Sequence, residues 1–216
     1  MLHGFLHNKI TTPEEYLIGL EMRQGQPISI DHSILDMPIK FDNNEIDAFI
    51  LDAVDGRLVI QLLLPLKMMF DADSNVYEVS FIRKLLNSDS FLSRFNEEFA
   101  GHIKKHDIHT EDYVTHDKLW LLSHEEMNQN ANFLRSNSKC HSFELFKSTD
   151  IRSYSKMLLS LNDQNCFGWR LRSAYSATTY DNYDMGVGFV NNNGYIDFST
   201  ADNEYYGALC PACAIC

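Results

Sequence analysis

The stretch Phe167-Gly-Trp-Arg-Leu-Arg-Ser173 opens the last fifth of the chain and has the alternation of a β-strand. In a strand, Trp169 and Leu171 share one face, and Arg170 and Arg172 share the other. We expect Trp169 to lie in the core and Arg172 to form a structural ion pair with a nearby carboxylate. This strand, with Pro211 near the end of the chain, is predicted to hold the fold together.

The tail that follows has the composition of a binding surface. No Lys or Arg occurs after Arg172, and 21 of the 34 residues from Ser173 to Tyr206 are Tyr, Asn, Asp, Ser or Thr. Such residues combine aromatic contact area with adaptable hydrogen bonding. The predicted ligand-binding residues are Tyr175, Tyr180, Asn182, Tyr183, Asp184, Asn191, Asn192, Tyr195, Tyr205 and Tyr206. The alternative is that the polar residues form ordinary turns and the tyrosines pack internally.

Two hairpins are predicted around turn sequences. Asp55-Gly56 separates the strand-like segments 46–54 and 57–64, and Asn191-Asn-Asn-Gly194 separates segments 186–190 and 195–198. A last strand is predicted over Leu209–Ile215. We expect this last strand to pair with the first hairpin.

Helical periodicity occurs between these strands. Apolar residues recur at helical spacing from Ser80 to His106, which predicts two helical pieces, and another helix is expected at 150–161. Segment 117–123 is strand-like. Ser123 then has Glu126 at the capping-box position, which predicts a further helix start.

The N-terminal region carries its own helix signal. Thr12 is a candidate N-cap, Pro13 suits the first helical position and Glu15 completes a capping box. We therefore expect residues 1–38 to form an N-terminal helical extension and residues 39–216 to form the main domain.

Composition and charge exclude several classes of protein. The chain has 216 residues, is 44% hydrophobic and carries a net charge of −12, which opposes binding to a phosphate backbone. Its longest apolar run, Val59–Phe70, is interrupted by Gln61, Pro65 and Lys67, so no membrane span is predicted. No signal peptide is expected from Met1–Lys9, which favours a cytoplasmic or virion-associated protein. Five cysteines without a leader suggest reduced thiols.

The end of the chain, Cys210-Pro-Ala-Cys-Ala-Ile-Cys216, suggests either metal or redox chemistry. A zinc site needs four ligands, and no second C-x-x-C pair is present. In a strand, Cys210 and Cys216 share one face while Cys213 lies on the other, which suits neither chemistry. Buried thiols without metal are therefore expected.

Other metal patterns are incomplete. His102, His106 and His109 have helical spacing, but their neighbours have the composition of a helix end. Asp71, Asp73 and Asn75 resemble the start of a calcium loop, but the Gly and Glu that such a loop requires are missing. We predict no cofactor. Calcium remains an alternative by analogy with lectins, with Asp181, Asp184 and Asn191 as its ligands.

The chain also resembles a known domain family through several ordered motifs. The motifs are a D-G hairpin, S-x-x-R-x-x-L-N-x-x-F, D-K-x-x-L-L-S-x-x-E, W-W-L-R-S-P, V-x-x-x-G and G-V-R-P-A. The matching residues are Asp55-Gly56, Ser80, Arg83, Leu86, Asn87, Phe91, Asp117, Lys118, Leu121, Leu122, Ser123, Glu126, Trp169, Leu171, Arg172, Ser173, Val190, Gly194, Gly207 and Pro211-Ala212. The chain departs from the pattern at Arg170, Ala174 and Cys210.

These motifs are similar to those of an uncharacterised domain family common in phages, prophages and Firmicutes. That family resembles the C-type-lectin-like fold of formylglycine-generating enzymes and of the variable proteins of diversity-generating retroelements. The resemblance implies an α+β, C-type-lectin-like domain whose C-terminal surface is diversified for protein–protein interaction.

The function expected from the sequence is non-enzymatic recognition of a protein or glycan ligand by a phage or prophage-encoded protein. No P-loop, dinucleotide-binding, serine-hydrolase or zinc-protease motif occurs. One alternative is a structural or assembly protein that forms a homo-oligomer, with its tyrosines in a subunit interface. Another is an enzyme related to formylglycine-generating proteins that uses Cys210 and Cys213.

Overall fold

A β-hairpin near the start of the main domain organises the fold. The structure is a computed structural model and describes residues 10–11, 37–54, 57–110, 112–137, 139–148, 150–161, 167–176, 185–204 and 207–216. Strands β4 (Ala48–Val54) and β5 (Arg57–Leu62) run antiparallel, and Val54 is paired with Arg57. The predicted first hairpin is therefore confirmed, with the short connection that Asp55-Gly56 indicates.

This hairpin lies inside a five-stranded sheet. Strand β1 (Ile10–Thr11) pairs in parallel with β4, and β12 (Ala212–Ile215) pairs antiparallel with β5. Strand β6 (Ile103–Lys104) completes the order β1-β4-β5-β12-β6. The predicted pairing of the last strand with the first hairpin is confirmed. All four residues of β12 are buried, which explains its uninterrupted run of small and apolar residues.

The predicted strand at Phe167–Ser173 is an edge strand of a second, three-stranded sheet. It consists of β9 (Gly168–Ala174), β10 (Gly186–Asn191) and β11 (Ile196–Thr200), with β10 in the middle. The second predicted hairpin is confirmed, because Val190 pairs with Ile196 across the turn. Gly194 has φ 78° there, a conformation that favours glycine.

Two small ribbons and several short helices complete the described structure. The ribbons are β2 (Lys40–Phe41) with β3 (Asn44–Glu45), and β7 (His106–His109) with β8 (Val114–Asp117). The α-helices are α1 (Phe81–Leu86), α2 (Asp89–Leu92), α3 (Glu97–His102), α4 (Glu144–Ser148) and α5 (Ile151–Leu161), and a 3₁₀ helix spans Tyr77–Val79. The helix predicted at 150–161 is confirmed as α5.

The predicted α+β, C-type-lectin-like architecture is wrong. The described residues are 35% strand and 19% helix, arranged as several small sheets with short helices. Much of the helical signal is divided by residues that end helices. Asn87, Ser93 and Asn96 flank α1, α2 and α3, so each helix has at most six residues.

Two helix assignments fail, the first for a tertiary reason. Helix was predicted to continue to His106, but Ile103 begins β6, which pairs with the end of β12. After Ser123 both capping-box hydrogen bonds form, since Ser123 N donates to Glu126 Oε2 and Glu126 N donates to Ser123 Oγ. The residues that follow are nevertheless a turn. Helix α4 begins only at Glu144.

The N-terminal helical extension is also corrected. The helix signal at Thr12–Glu15 lies outside the described residues, and the part of 1–38 that is described adds β1 to the main sheet and Met37 to the core. Among the described residues, no helix combines the length and the apolar character that a membrane crossing needs.

The segment before β12 connects the two large sheets. Leu64 N donates to Leu209 O, and Arg170 N donates to Ala208 O, so residues 208–209 lie between the extension of β5 and strand β9. Segment 120–122 makes a second connection, because Trp120 bonds to Ala212 and Arg172 N donates to Leu122 O. This second connection brings Glu126 and its neighbours beside the end of β9.

Candidate functional site

A polar cavity of about 150 Å³ lies beside the C-terminal end of β9. Four separate stretches of chain form its walls: residues 75–78, the β7–β8 turn, parts of segment 123–140, and residues 172–174 of β9. Hydrogen bonds join the walls. The Thr110 hydroxyl donates to Glu78, Asn137 Nδ2 donates to Thr110 O, and Arg135 N donates to Ala174 O at 2.8 Å.

Arg172 lines this cavity, and its charge is paired with that of Glu126. Arg172 Nη1 donates to Glu126 Oε2 at 2.6 Å, and Nη2 donates to Oε1 at 2.8 Å. Nη1 also donates to Leu121 O at 2.7 Å. The two side chains are only 2% and 9% exposed. Burial alone would lower the pKa of Arg172, but the Glu126 carboxylate outweighs burial and raises it, so the guanidinium stays charged.

Two polar atoms beside the cavity lack hydrogen-bond partners among the described residues. They are Tyr77 Oη and His109 Nδ1. Tyr77 is 2% exposed, and burial raises the pKa of its phenol, so it remains protonated. Its ring comes from the 3₁₀ helix, close to Arg172 and to the Leu121 amide, but its hydroxyl meets no hydrogen bond of ordinary geometry there. A buried polar atom without a partner is uncommon and needs an explanation.

Carboxylates and one tyrosine line the outer part of the cavity. Glu78 is half-buried, and burial raises its pKa, with the charge of Asp112 as a smaller cause in the same direction. Glu125 Oε1 accepts a hydrogen bond from Asn137 N at 2.6 Å. Tyr113 is 56% exposed. Its carbonyl accepts from Thr110 N at 2.9 Å, which fixes the turn that carries it.

Cys140 is the thiol in the cavity wall, and it is not activated. Its Sγ donates to His109 O at 3.4 Å. Burial raises the pKa of Cys140 above its ordinary value, although the positive charge of Arg172 acts in the opposite direction. The neutral thiol is therefore favoured, whereas a nucleophilic cysteine needs the thiolate.

Ser173, His124 and Glu125 contain the residue types of a hydrolase triad but not its geometry. His124 Nδ1 lies 3.0 Å from Ser173 Oγ and 3.2 Å from Glu125 Oε2. A triad needs one ring nitrogen for the serine and the other for the carboxylate, and here both contacts use the same nitrogen. Burial also lowers the pKa of His124. The arrangement is a structural hydrogen-bond cluster.

The tail residues predicted to bind ligand are dispersed. Tyr175 is 1% exposed and packs on Phe198 with ring centroids 4.3 Å apart, so its assignment to an exposed surface is wrong. Asn191 and Asn192 lie at the β10–β11 turn, where Asn191 Oδ1 accepts from Asn193 N and Tyr195 N at 2.9 and 3.1 Å. The Asn191 side chain therefore stabilises the turn by bonding to its backbone, as asparagine often does in turns.

Tyr195 is the exposed aromatic residue of that turn. It is 50% exposed, and the Arg152 guanidinium lies 4.5 Å from its ring centroid. The other predicted residues, Tyr180, Asn182, Tyr183, Asp184, Tyr205 and Tyr206, lie outside the described residues. The same holds for Asp181, so of the calcium ligands suggested by analogy with lectins only Asn191 lies within the described residues.

The residues predicted to hold the fold are internal. Trp169 is fully buried, and its Nε1 lies 3.4 Å from Ser155 Oγ. The Pro211 carbonyl accepts from Leu62 N at 2.8 Å. Arg170 is buried as well as Arg172, so both faces of β9 are covered. The Arg170 guanidinium donates to Ser199 Oγ and Asn203 O, and burial lowers the pKa of Arg170 to about 10.

Among the described residues, the cysteines at the chain end form no disulfide with one another. Cys210 and Cys213 are buried, whereas Cys216 is exposed. Burial raises the pKa of Cys213. In the part of the chain that the structure describes, no three His, Cys, Asp or Glu side chains are arranged to hold a metal ion. His102 and His106 are separated instead, since His102 Nδ1 contacts Cys216 O and His106 stacks on Trp120.

Most residues of the cavity carry no sequence signal. Tyr77, Glu78, Thr110 and Tyr113 lie in segments without a motif, and they meet only through the fold. The available signals were Arg172, expected in an ion pair, and Glu126, expected in a capping box. Neither pattern identifies the other residue as its partner, 46 positions away.

Comparison with known proteins gives one family. The family model described as a domain of unknown function (DUF6273) matches residues 62–215, a range that contains all the residues that line the cavity. No curated protein and no solved structure matches the chain.

Proposed function

Because this chain belongs to the family described as a domain of unknown function (DUF6273), we propose a function from the chemistry of its cavity. The protein is a non-enzymatic recognition domain, and the cavity beside β9 binds a polar group of its ligand. The ligand is a protein or a glycan, as the composition of the chain suggests.

The observation that carries this proposal is the pair of unpartnered atoms beside the cavity, Tyr77 Oη and His109 Nδ1. Leaving a buried polar group without a hydrogen bond costs about 1–3 kcal/mol. A ligand group that bonds to such atoms recovers that cost. A cavity that is lined mainly by polar residues, some of which lack hydrogen-bond partners, is therefore suited to binding.

The state of the reactive side chains supports recognition over catalysis. The Cys140 thiol has a raised pKa, and His124 contacts Ser173 and Glu125 through one nitrogen. The enzyme alternative based on Cys210 and Cys213 gains no support, because both thiols are buried. Because none of these described thiol and serine groups is activated as a nucleophile, the cavity favours a binding role.

A second candidate surface is the β10–β11 turn. Tyr195 is half-exposed there, beside the exposed Asn192. We propose that this turn is where the tail contacts either an external ligand or another subunit in an assembly.

We also propose that the matched family is the phage and prophage family with the W-W-L-R-S-P signature.

Filling the cavity tests its role. Ala174 lines the cavity and is half-buried, whereas Ala72 is exposed and lies outside it. We expect some small polar fragments to shift the amide NMR signals of Glu78, His109 and Ala174 in the native protein. Ala174→Phe should abolish these shifts, and Ala72→Phe should preserve them.

Folding of both variants is verified by their melting temperatures and by unchanged amide signals in β4 and β5. If no fragment of any charge shifts the cavity signals, the proposed function is wrong. Shifts that persist in a folded Ala174→Phe variant would also contradict it.

A further inference from the structure

We propose that the cavity binds an organic cation, specifically the ammonium end of an alkyl chain. This inference rests on the proposed function and names the class of ligand group. The two sources of such a group are a lysine side chain of a partner protein and a free alkylamine.

The charges around the cavity favour a cation. Three carboxylates line it, those of Glu78, Asp112 and Glu125, and two arginines, Arg135 and Arg172. Arg172 is neutralised by its two contacts with Glu126. When Glu126 is included, four carboxylates face two guanidinium groups, which leaves an excess of two negative charges. Such an excess attracts a cation and repels an anion.

The Nη donors of Arg172 are already used, which argues further against an anion. Nη1 donates to Glu126 and Leu121, and Nη2 donates to Glu126 with weaker contacts to His109 O and Cys140 Sγ. An anion would have to break the buried ion pair to reach this guanidinium. Breaking a buried pair is strongly unfavourable.

An independent observation points to a bound polar group, and an ammonium group is one that can satisfy it. Tyr77 is 2% exposed, lines the cavity and has an unpartnered hydroxyl oxygen that can accept a hydrogen bond. Glu78 is half-buried on the same wall, and burial disfavours its charged form. A cation beside Glu78 would stabilise the ionised carboxylate and so offset the effect of burial.

Tyr113 suits the same ligand at the opening. It lines the cavity, and its side chain is 56% exposed. The face of an aromatic ring attracts an ammonium group, and this attraction adds to that of nearby carboxylates. Glu78, Asp112 and Tyr113 therefore combine two kinds of cation recognition at one opening.

Size and geometry select an ammonium group. A cavity of about 150 Å³ has the volume that accommodates a benzene-sized molecule, so an alkyl chain of about four carbons with its ammonium fits. The acceptors of the lining, Tyr77 Oη and the carboxylates of Glu78 and Asp112, come from two separate segments. An ammonium group is a compact charge whose three donors point in different directions, so it can reach acceptors on separate segments, and it is smaller than a guanidinium group.

The test uses three probes of equal chain length on the whole protein. Butylammonium chloride, 1-butanol and sodium butyrate are titrated while the amide signals of Glu78, His109 and Ala174 are followed by NMR. We expect butylammonium to bind in the millimolar range and the other two probes to bind at least about tenfold more weakly. Acetyl-lysine-methylamide and pentane-1,5-diamine then distinguish a lysine side chain from a free diamine as the preferred source.

A matched pair of variants locates the cation. Glu78→Gln retains an acceptor for Thr110 and removes the charge, so we expect butylammonium binding to weaken by about tenfold. Glu45→Gln makes the same change at an exposed position on β3, and binding should be unchanged.

The outcomes separate this inference from the proposed function. Equal or tighter binding of 1-butanol or butyrate in the cavity would overturn the cation inference and leave the proposed function standing. Unchanged butylammonium binding by Glu78→Gln would do the same. A lack of binding by every probe and every other polar fragment would overturn both.

Discussion

Arg172 on β9 and Glu126 in the turn after Ser123 form a buried ion pair with two contacts, at 2.6 and 2.8 Å. The pair connects the second sheet to the segment that borders the cavity. Because Glu126 Oε2 also accepts from Ser123 N, one carboxylate holds both the turn and the strand. The pair therefore positions the cavity walls, and it also neutralises the charge of Arg172, which lines the cavity.

Removing one partner of this pair should be costly. We expect Arg172→Met to reduce the free energy of unfolding by about 3–5 kcal/mol, because it leaves the Glu126 carboxylate buried without its counter-ion. Glu126→Met should cost a similar amount, and the double substitution should cost clearly less than the sum. Urea denaturation of the four proteins measures this coupling. Strict additivity would show that the pair does not act as a unit.

Two glycines should respond oppositely to alanine. Gly194 has φ 78°, and a Cβ there would lie 2.2 Å from Arg152 Cα. We expect Gly194→Ala to destabilise the protein by about 2 kcal/mol or more through backbone strain and this clash. Gly101 lies in α3, and a Cβ there meets nothing within 4 Å. Gly101→Ala should stabilise the protein by about 0.5–1 kcal/mol.

Thermal unfolding of both glycine variants provides the measurement. A neutral Gly194→Ala would mean that the β10–β11 turn and α5 move apart easily. The opposite result at Gly101, a loss of stability, would contradict its open environment.

Cysteine alkylation should follow exposure. Cys216 is exposed and Cys140 is half-buried, whereas Cys210 and Cys213 are buried. Burial raises the pKa of Cys213, so both access and the thiolate fraction oppose reaction there. We expect iodoacetamide to modify Cys216 at least about 100-fold faster than Cys213 in the folded protein.

Mass spectrometry of the C-terminal peptides distinguishes these cysteines. In urea the two rates should become similar, which controls for intrinsic reactivity. Rapid modification of Cys213 without denaturant would contradict the packing of β12 and reopen the enzyme alternative.

Stability should depend on pH through His124. Burial lowers the pKa of His124 below its ordinary value of 6.5, despite the opposing effect of Glu125. The unfolded chain therefore binds a proton at a higher pH than the folded chain does. The stabilisation is fully present above pH 6.5 and is lost as the pH falls through the lowered value.

Melting temperatures between pH 8 and pH 5 test this dependence. The native protein should lose stability over this range more steeply than His124→Gln, whose side chain is not protonated. The comparison between the two proteins is needed because the raised pKa of Glu78 contributes with the opposite sign. Equal slopes would show that His124 does not titrate differently in the folded state.

The parts of the fold that could be predicted are those with local chemistry. Asp55-Gly56 and Gly194 indicate the two hairpins because turns require particular backbone conformations. The helix start near Ser80 and α5 also follow from local pattern, and Ser80 Oγ accepts from Arg83 N in the structure. The helix predicted to continue through Ile103 failed, because pairing with β12 outweighed helical periodicity.

The candidate site was less predictable because its members are distant in sequence. The composition of the tail suggested Tyr175 as a surface residue, but contact with Phe198 buries it. Composition reports which residue types are present and does not report which side chains are covered. Tyr77 and His109 had no signal, since an unpartnered polar atom exists only once its surroundings are assembled.

By itself the sequence determined the hairpins, the strand Phe167–Ser173 and the expectation that Arg172 needs a carboxylate partner. Turn chemistry, alternation and the cost of a buried charge act over a few residues and can be recognised there. Only the tertiary structure decided that this partner is Glu126, and that Tyr77, Glu78 and Tyr113 meet beside it. These contacts depend on how the two sheets pack through segments 120–122 and 208–209, and packing is a property of the whole chain.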